Sequence, residues 1–524
     1  MKRLLTIAIA LTCCLCLAGQ TGELPRSTPA RQGVNPAVLN ALFDSLKAIP
    51  TAQVHHVMVL RHDTVIGELH SQPFAAGDLH TMYSASKTVT ALAVGMAIDD
   101  GLLSVDDKVS KYLRDKMPAT LSPALESLTV RHLLTMTAGH VPNMALFDVD
   151  GDWLTAWFNE AFNNPGEQFA YDSMGSHALA TIVCRVTGKS LFEYVNERLF
   201  TPMHITVADW ERGPDGVEVG AWGLRLQAES QAKLGLLLLH GGNWQGQQLV
   251  SEQWIHDMTQ RHVSTRLEPE PTLTLWQRAV QWVQHLWHTV RSWFTGVNVD
   301  DYYEGYGYQT KSILQPLAES FFAAGYGGQL IYVTPRCDLV VVINGMARSY
   351  GDELKLVYDM LVTSLVESDG DAALPDDAVT PVNVVALPQG VATSPFNNKA
   401  IVLDDNTLGI KHIALHQTGD STLDVSIDTW RLHAGHSAWI RNQHDQQPIY
   451  SISARGRFTG TARPFTTAAA YAWTADSCLD LRLQWVDGGD CRHLLLDFEV
   501  DSVIVRYNDN HDPALSGIIK GVIQ

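Results

Sequence analysis

Ser84 and Lys87 have the spacing that a serine nucleophile with a lysine base requires, in the run Ser84-Ala85-Ser86-Lys87. On a helix, three residues of separation place the ammonium one turn from the hydroxyl. A serine hydroxyl is a poor nucleophile at neutral pH, and a lysine can take its proton only if burial or a nearby cation lowers the lysine pKa. The mostly apolar stretch from Val89 to Met96 predicts such burial.

The spacing alone is weak, because a chain of this length contains roughly one Ser-x-x-Lys by chance. A second copy, Ser230 to Lys233, lies in the predicted helix Gln227 to Leu238. We interpret this second copy as structural.

The surroundings of Ser84 resemble the serine β-lactamase-like and penicillin-binding-protein-like hydrolases, a family that includes class C β-lactamases and related esterases. The resemblance covers roughly residues 35 to 365. It is carried by the following segments, in the order and spacing of the family: Tyr83 to Val109, Thr129 to His140, Pro165 to Gly175, Trp222 to Gly242 and Ala323 to Pro335.

The resemblance implies roles for Ser84 and for three further residues. Ser84 would form an acyl-enzyme, and Lys87 and Tyr171 would share the general base and acid roles. Ser173 stands where many members have Asn, and it would hydrogen-bond Lys87 or the substrate.

The third family block departs from the usual pattern. Gly325-Tyr326-Gly327 replaces the Lys-Thr-Gly or His-x-Gly triplet of the family, and the backbone N–H groups of Ser84 and Gly328 would form the oxyanion hole. The missing cation would otherwise bind the carboxylate of a β-lactam or a D-Ala-D-Ala peptide. Gly325 therefore favours an ester or amide without that carboxylate, and Tyr326 would line its pocket.

Two domains are expected. For residues 26–366 the resemblance implies an α/β (α+β) β-lactamase-like catalytic domain, with an antiparallel sheet flanked by helices and an all-helical subdomain. Residues 375–524 predict an all-β domain, either a barrel or a sandwich, because apolar residues alternate with period two. These alternating runs are Leu423 to Ile427, Leu479 to Leu483, Leu494 to Val500 and Val503 to Tyr507.

Composition limits the partners and the location. The 524 residues are 46% apolar and carry a net charge of −19, which argues against nucleic acid as a partner. The resemblance implies a small-molecule or peptide-like substrate. No metal-ligand spacing is evident, and no cofactor is expected. Residues 1–18 predict a signal peptide and a periplasmic or extracellular protein, with lipidation at Cys13, Cys14 or Cys16 as the alternative.

The segment from Leu275 to Phe294 predicts a basic amphipathic helix with four tryptophans. It would be docked on the body of the protein, cover the site as a lid, or contact a membrane surface. For the β domain, the sequence leaves open whether Cys478 and Cys491 pair or stay free.

Three functions are compatible with these residues. The first is an exported serine esterase or amidase. The second is a β-lactamase or cell-wall D-Ala-D-Ala peptidase, and the third is a catalytically silent binding protein with the same fold.

Overall fold

The computed structural model describes residues 22–265, 305–313, 319–347, 350–367, 383–445, 464–509 and 516–524, with a few single positions between 375 and 381 and at 461. The chain divides into two compact units. The first includes residues 56–69 and 82–381, and the second consists of 53–55, 70–81 and 382–524. The predicted signal peptide and the segment 275–294 lie outside the described residues.

The first unit is built around a sheet with the strand order β2-β1-β13-β12-β11-β10-β9-β8. From β13 to β8 every neighbouring pair is antiparallel, as predicted. Up to residue 347 the strands are β1 (Ala52–Arg61), β2 (Thr64–Gln72), β3 (His80–Thr81), β4 (Ala208–Trp210), β5 (Leu224–Leu226), β6 (Asn243–Trp244), β7 (Gln247–Gln248), β8 (Val263–Ser264), β9 (Gly305–Tyr306), β10 (Lys311–Ile313), β11 (Ser320–Gly325), β12 (Gln329–Thr334) and β13 (Leu339–Ala347).

Helices accompany this sheet. They are α1 (Pro36–Lys47), α2 (Ser86–Asp99), α3 (Ser110–Leu113), α4 (Pro123–Ser127), α5 (Val130–Leu134), α6 (Trp153–Phe158), α7 (Ser173–Thr187), α8 (Leu191–Val195), α9 (Ala228–Leu239), α10 (Glu252–Thr259), α11 (Gly351–Leu356) and α12 (Thr363–Glu367). None of the helices in these described ranges is long and apolar enough to cross a membrane.

Helix α2 is the central helix of the first unit. All of its residues from Ser86 to Ala97 are buried, so it has no polar face toward solvent. Gly95 allows Trp254 to pack directly on the helix, since a Cβ there would lie 2.2 Å from the indole ring. The Trp254 indole N–H also donates to the carbonyl oxygen of Ala91 at 3.1 Å. The helix that follows Ser84 is therefore held rigidly inside the protein.

The second unit contains a β-barrel. From residue 383 the strands are β14 (Asn383–Val384), β15 (Ala400–Leu403), β16 (His412–Gly419), β17 (Thr422–Ile427), β18 (Trp430–His436), β19 (Ile440–His444), β20 (Phe465–Ala475), β21 (Cys478–Trp485), β22 (Cys491–Phe498), β23 (Ser502–Asp509) and β24 (Gly517–Ile523). The described strands run in the order β18-β17-β16-β15-β24-β23-β22-β21-β20, and β18 pairs with β20 to close the ring. Of the two predicted architectures, the barrel is confirmed.

The period-two alternation correctly identified the inward-facing residues of the barrel, with one error. Leu423, Val425 and Ile427 are buried on alternate positions of β17, as predicted. The prediction that Val500 continues the alternation of β22 is wrong, because the strand ends at Phe498 and Val500 is 89% exposed. The N–H of Glu499 instead donates to the carbonyl oxygen of Ser502, so the chain turns at this point.

Cys478 and Cys491 do not form a disulfide with each other in the structure. Cys478 lies opposite Asp497, and Cys491 lies opposite Gln484. The antiparallel register therefore sets the two sulfurs at different rungs of the sheet, too far apart along the strands to pair.

Candidate active site

Ser84 lies at the entrance to α2. It belongs to a single 3₁₀ turn, Tyr83–Ala85, and it is partly exposed while its neighbours from Met82 to Ala93 are buried. Tyr83 has a φ of 44°, in the left-handed region that non-glycine residues rarely adopt. Such strained backbone occurs often at functional sites, where it directs a side chain toward a ligand.

The Lys87 side chain lies next to this hydroxyl. Its Nζ is 3.0 Å from the Ser84 Oγ and donates to the carbonyl oxygen of Ala221 at 2.8 Å. Lys87 is only 1% exposed. Burial lowers the pKa of Lys87 to about 7, the charge of Lys311 lowers it further, and Asp172 opposes the change. A large fraction of Lys87 is therefore neutral at physiological pH and able to accept a proton.

Tyr171 completes the contact around Ser84. Burial raises the pKa of Tyr171 to about 12, and a hydrogen bond with the Ser84 side chain opposes this change. The Lys87 Nζ lies 4.9 Å from the centroid of the Tyr171 ring. At neutral pH the phenol therefore keeps its proton and can donate it. The structure thus brings Ser84, Lys87 and Tyr171 together.

Ser173 is the first residue of α7 and is buried. The hydrogen bonds of the Lys87 ammonium go to Ser84 and Ala221, and within the described ranges none connects it to Ser173. The suggested bond between Ser173 and Lys87 is thus not present in this structure. A contact between Ser173 and a substrate stays a prediction.

Asp172 anchors the segment that carries Tyr171. Its carboxylate caps α7 by accepting from the N–H of Met174 at 2.9 Å, and it also accepts from Nδ1 of His140 at 2.7 Å and Nε1 of Trp157 at 3.0 Å. The other ring nitrogen of His140 lies 2.8 Å from Glu160. Burial disfavours the charged ring, but the bonds to Asp172 and Glu160 raise the pKa of His140 overall. Sequence reasoning missed this network, although Asp172 and His140 both lie in family blocks.

The end of β11 lies directly against the segment before Ser84. Gly325 pairs with Gln329 across the β11–β12 hairpin. A Cβ on Gly325 would lie 2.2 Å from the carbonyl oxygen of Met82, so the backbones touch. Position 325 therefore has no room for the cationic side chain of the family pattern or for any other side chain.

The remaining hairpin residues make different contacts. Tyr326 is 44% exposed, and its ring lies edge-on to Tyr83 with the centroids 5.6 Å apart. Gly327 and Gly328 have φ values of 77° and 88°. Gly327 lies beside Met346, and Gly328 lies beside Ala347 and Glu353. These contacts place Gly325 and Tyr326 against the nucleophile turn. The role of the Gly328 N–H in the oxyanion hole stays a prediction.

Lys311 is a cation near this site that sequence reasoning missed. It lies on β10, and its Nζ is hydrogen-bonded to the Tyr350 hydroxyl. The same Nζ is 4.7 Å from the Tyr350 ring centroid and 5.6 Å from that of Tyr171. The Tyr171 ring is thus contacted by two ammonium groups, those of Lys87 and Lys311.

No group of three or more His, Cys, Asp or Glu side chains in the described part of the chain could hold a metal ion. In the second Ser-x-x-Lys copy, no hydrogen bond joins Lys233 to Ser230 or to a tyrosine among the described residues. Lys233 donates to the carbonyl oxygens of Met203 and His204, both at 3.1 Å, and thereby fixes α9.

Comparison with known proteins places this arrangement in a family. The 6-aminohexanoate-dimer hydrolase of Paenarthrobacter ureafaciens is 25% identical over 44% of this chain and 64% of its own length. The Beta-lactamase of Escherichia coli (strain K12) is 27% identical over 45% of this chain and 59% of its own length. This chain therefore spans less than two thirds of either relative.

Among solved structures, the octameric penicillin-binding protein homologue from Pyrococcus abyssi is 15% identical, with a TM-score of 0.46, over 93% of this chain and 99% of that one. The model of the family described as Beta-lactamase matches residues 39–353, which is more than half of the chain. That range includes Ser84, Lys87, Tyr171 and the β11–β12 hairpin. The chain belongs to the beta-lactamase family of serine hydrolases.

Proposed function

We propose that the protein hydrolyses a carboxylic ester or amide through an acyl-enzyme on Ser84. The observation that carries this proposal is the 3.0 Å contact between the Ser84 Oγ and a buried Lys87 whose pKa is lowered to about 7. A general base is most effective when its pKa is near the working pH. The same contact argues against the alternative of a catalytically silent binding protein. Such a protein does not need a lysine base beside a serine hydroxyl.

Acylation uses the base and the acid in sequence. Neutral Lys87 takes the proton of the Ser84 hydroxyl, and the Oγ bonds to the carbonyl carbon of the substrate. The negative charge that forms on the carbonyl oxygen is stabilised by backbone N–H groups, of which one belongs to Ser84. We assign the other to Gly328, the position that the resemblance to the family implies.

Collapse of this intermediate breaks the bond to the leaving group. The leaving alkoxide or amine takes the phenolic proton of Tyr171. The resulting phenolate is a strong base, because its pKa is about 12, and it regains a proton from the Lys87 ammonium. Water then attacks the acyl-enzyme, Lys87 accepts a proton from that water, and Ser84 leaves with a proton as the acid product is released.

The substrate class follows from the hairpin. The absence of any side chain at Gly325 supports an ester or amide that lacks the carboxylate of β-lactams and D-Ala-D-Ala peptides. The two relatives are named 6-aminohexanoate-dimer hydrolase and Beta-lactamase, and a β-lactam is a cyclic amide, so amide cleavage stays within the proposal. The second candidate is a β-lactamase or cell-wall peptidase, in which Lys311 would supply the missing positive charge. Export through residues 1–18 is part of the proposal and rests on the sequence pattern alone.

The test is intact-protein mass spectrometry after incubation with a fluorophosphonate and, separately, with a penicillin. We expect the fluorophosphonate to add one covalent label, and Ser84→Ala to remove it and to reduce ester turnover by about three orders of magnitude or more. Ser230→Ala, in the second Ser-x-x-Lys copy, is the matched control and should label like the wild type. Labelling by penicillin as well would favour the β-lactamase alternative. A folded Ser84→Ala variant with near-normal activity would refute the nucleophile.

A further inference from the structure

A buried amide side chain lies against the turn of the β11–β12 hairpin. Gln329 is the first residue of β12 and is only 1% exposed. Its Nε2 donates to the carbonyl oxygen of Tyr326 at 3.1 Å and to that of Gly345 at 2.7 Å. A Cβ on Gly327 would lie 3.4 Å from the same nitrogen. Gln329 therefore ties the turn of the hairpin to the neighbouring strand β13.

Two further buried amides fix the orientation of the Gln329 amide. Its Oε1 accepts from Nδ2 of Asn344, on β13, at 3.1 Å. Asn344 and Gln231 of α9 form a reciprocal pair, in which Nδ2 donates to Oε1 at 2.9 Å and Nε2 donates to Oδ1 at 3.2 Å. The Gln329 oxygen thus faces a donor and its nitrogen faces carbonyl oxygens, so the amide cannot turn over without losing these bonds. Gln231 belongs to the second Ser-x-x-Lys copy, which the proposed chemistry does not use.

The next peptide unit of the turn has an anchor of its own. The carbonyl oxygen of Gly327 accepts from the backbone N–H of Ala347 at 2.9 Å. The peptide bonds of this turn are trans, so the C=O and N–H groups of each unit point in opposite directions. Because the carbonyls of Tyr326 and Gly327 are held, the N–H groups of Gly327 and Gly328 point away from Gln329 and Ala347. The N–H of Gly328 is the one assigned above to the oxyanion hole.

These anchors are needed because the turn is rich in glycine. Glycine adopts many backbone conformations at little cost, so a peptide unit between glycines rotates easily unless its carbonyl is held. An oxyanion hole is effective only when its donors already point at the developing charge. We propose that Gln329 is a positioning residue for the hydrolase reaction. It holds the turn in the conformation in which the Gly328 N–H stabilises the oxyanion, and this inference rests on the proposed function.

The first measurement is the steady-state hydrolysis of p-nitrophenyl butyrate by the wild type and by Gln329→Met. Methionine keeps the length of the side chain and removes the amide. We expect kcat to fall about tenfold to a hundredfold, since the donor is misaligned and not deleted. KM should change by less than about twofold, because the oxyanion contact strengthens only in the transition state.

The second measurement is inhibition by phenylboronic acid. The Ser84 Oγ bonds to boron while its proton passes to Lys87, and the tetrahedral boronate that forms resembles the transition state of acylation. The inhibition constant of Gln329→Met should rise by about the same factor by which kcat/KM falls. A side chain that only stabilised the fold would leave the inhibition constant of the folded enzyme unchanged.

The matched control is Gln231→Met. Gln231 is also 1% exposed, and its Nε2 donates to the carbonyl oxygen of Leu226 at 3.2 Å and to Asn344. None of its hydrogen bonds among the described residues reaches the hairpin, and Asn344 still donates to Gln329 in this variant. Both variants should unfold at lower temperature than the wild type, but Gln231→Met should keep kcat and the inhibition constant within about twofold.

The fluorophosphonate label separates this inference from the proposed function. The wild type and Gln329→Met should both take the label on Ser84. An unlabelled wild type would refute the nucleophile and this inference with it. A labelled, folded Gln329→Met with unchanged kcat and inhibition constant, or an equal loss in Gln231→Met, would refute the positioning role alone. If Gln329→Met does not fold, Gln329→Asn decides, because its amide is one methylene too short to reach Tyr326 and the same losses are expected.

Discussion

At the scale of single residues, Ser84, Lys87 and Tyr171 form one contact group, and the ammonium groups of Lys87 and Lys311 both lie over the Tyr171 ring. Ser84, Lys87 and Tyr171 lie in short sequence blocks with recognisable spacing, and the structure brings them into contact. Lys311 lies outside every block. Its proximity to Tyr171 joins two residues that are far apart in the chain, and local sequence patterns do not report such a contact.

Lys311 offers a test of how the base is kept neutral. Its positive charge lowers the pKa of Lys87, so Lys311→Met should raise that pKa. The acidic limb of the pH profile of kcat/KM should then move to higher pH by about half a unit to one unit, and activity lost at pH 7 should return at higher pH.

The control for this measurement is Lys355→Met. Lys355 is an exposed lysine of α11 paired with Asp359, and its removal should leave the profile in place. An acidic limb that stays where it is in Lys311→Met, or moves to lower pH, would contradict the electrostatic role.

At the scale of elements, burial patterns identified the strands, while the precise caps and turns depended on contacts made elsewhere. Alternation located β17, β21, β22 and β23, because a half-buried strand needs apolar residues at every second position. The same rule failed at Val500, where the alternation continues through a turn. Hydrogen bonds that converge on Asp172 from α6 and the segment containing His140 were equally invisible in the sequence.

The start of α7 gives the element-scale prediction. Asp172→Ala removes the acceptor for the Met174 N–H, His140 and Trp157 together, so we expect a loss of about 2–4 kcal/mol in the free energy of unfolding. Urea denaturation measures it. Ser190→Ala, at the exposed N-cap of α8, is the comparison and should cost about 1 kcal/mol. Equal losses in the two variants would show that the buried partners of Asp172 contribute little.

At the scale of the whole molecule, the sequence predicted two consecutive domains, whereas the second compact unit also includes residues 53–55 and 70–81. Those short segments do not show the period-two alternation of apolar residues that predicted the β domain. The two segments contain buried polar side chains. Nδ1 of His55 lies 2.9 Å from Nε2 of His80, and the His80 ring is fully buried. A change in the protonation of His80 therefore affects the stability of the fold.

The direction in which stability changes with pH follows from the pKa of His80. Burial lowers the pKa of His80 to about 4, against the opposing influence of the Thr81 carbonyl and Asp78. Between pH 6.5 and pH 4 the unfolded chain binds a proton at this position that the folded chain does not, so stability falls as the pH falls. The loss in the free energy of unfolding that is due to His80 reaches about 3 kcal/mol below pH 4.

The measurement is the free energy of unfolding of the wild type and of His80→Asn as a function of pH. The wild type should lose more stability than the variant between pH 6.5 and pH 4, whatever other groups titrate in both. His412→Asn, an exposed barrel histidine, should follow the wild type. Parallel curves for the wild type and His80→Asn would disprove the assignment.

The contact between Gly325 and Met82 restricts how the specificity of this enzyme can change. A new positive charge at 325 would require the backbones of β11 and the nucleophile turn to separate, which would displace the serine that the charge was meant to serve. Mutational routes to β-lactam recognition must therefore begin at a neighbouring position with room for a side chain, such as the exposed Tyr326. In this scaffold the position at which the family pattern has a cation is thus closed to a single substitution.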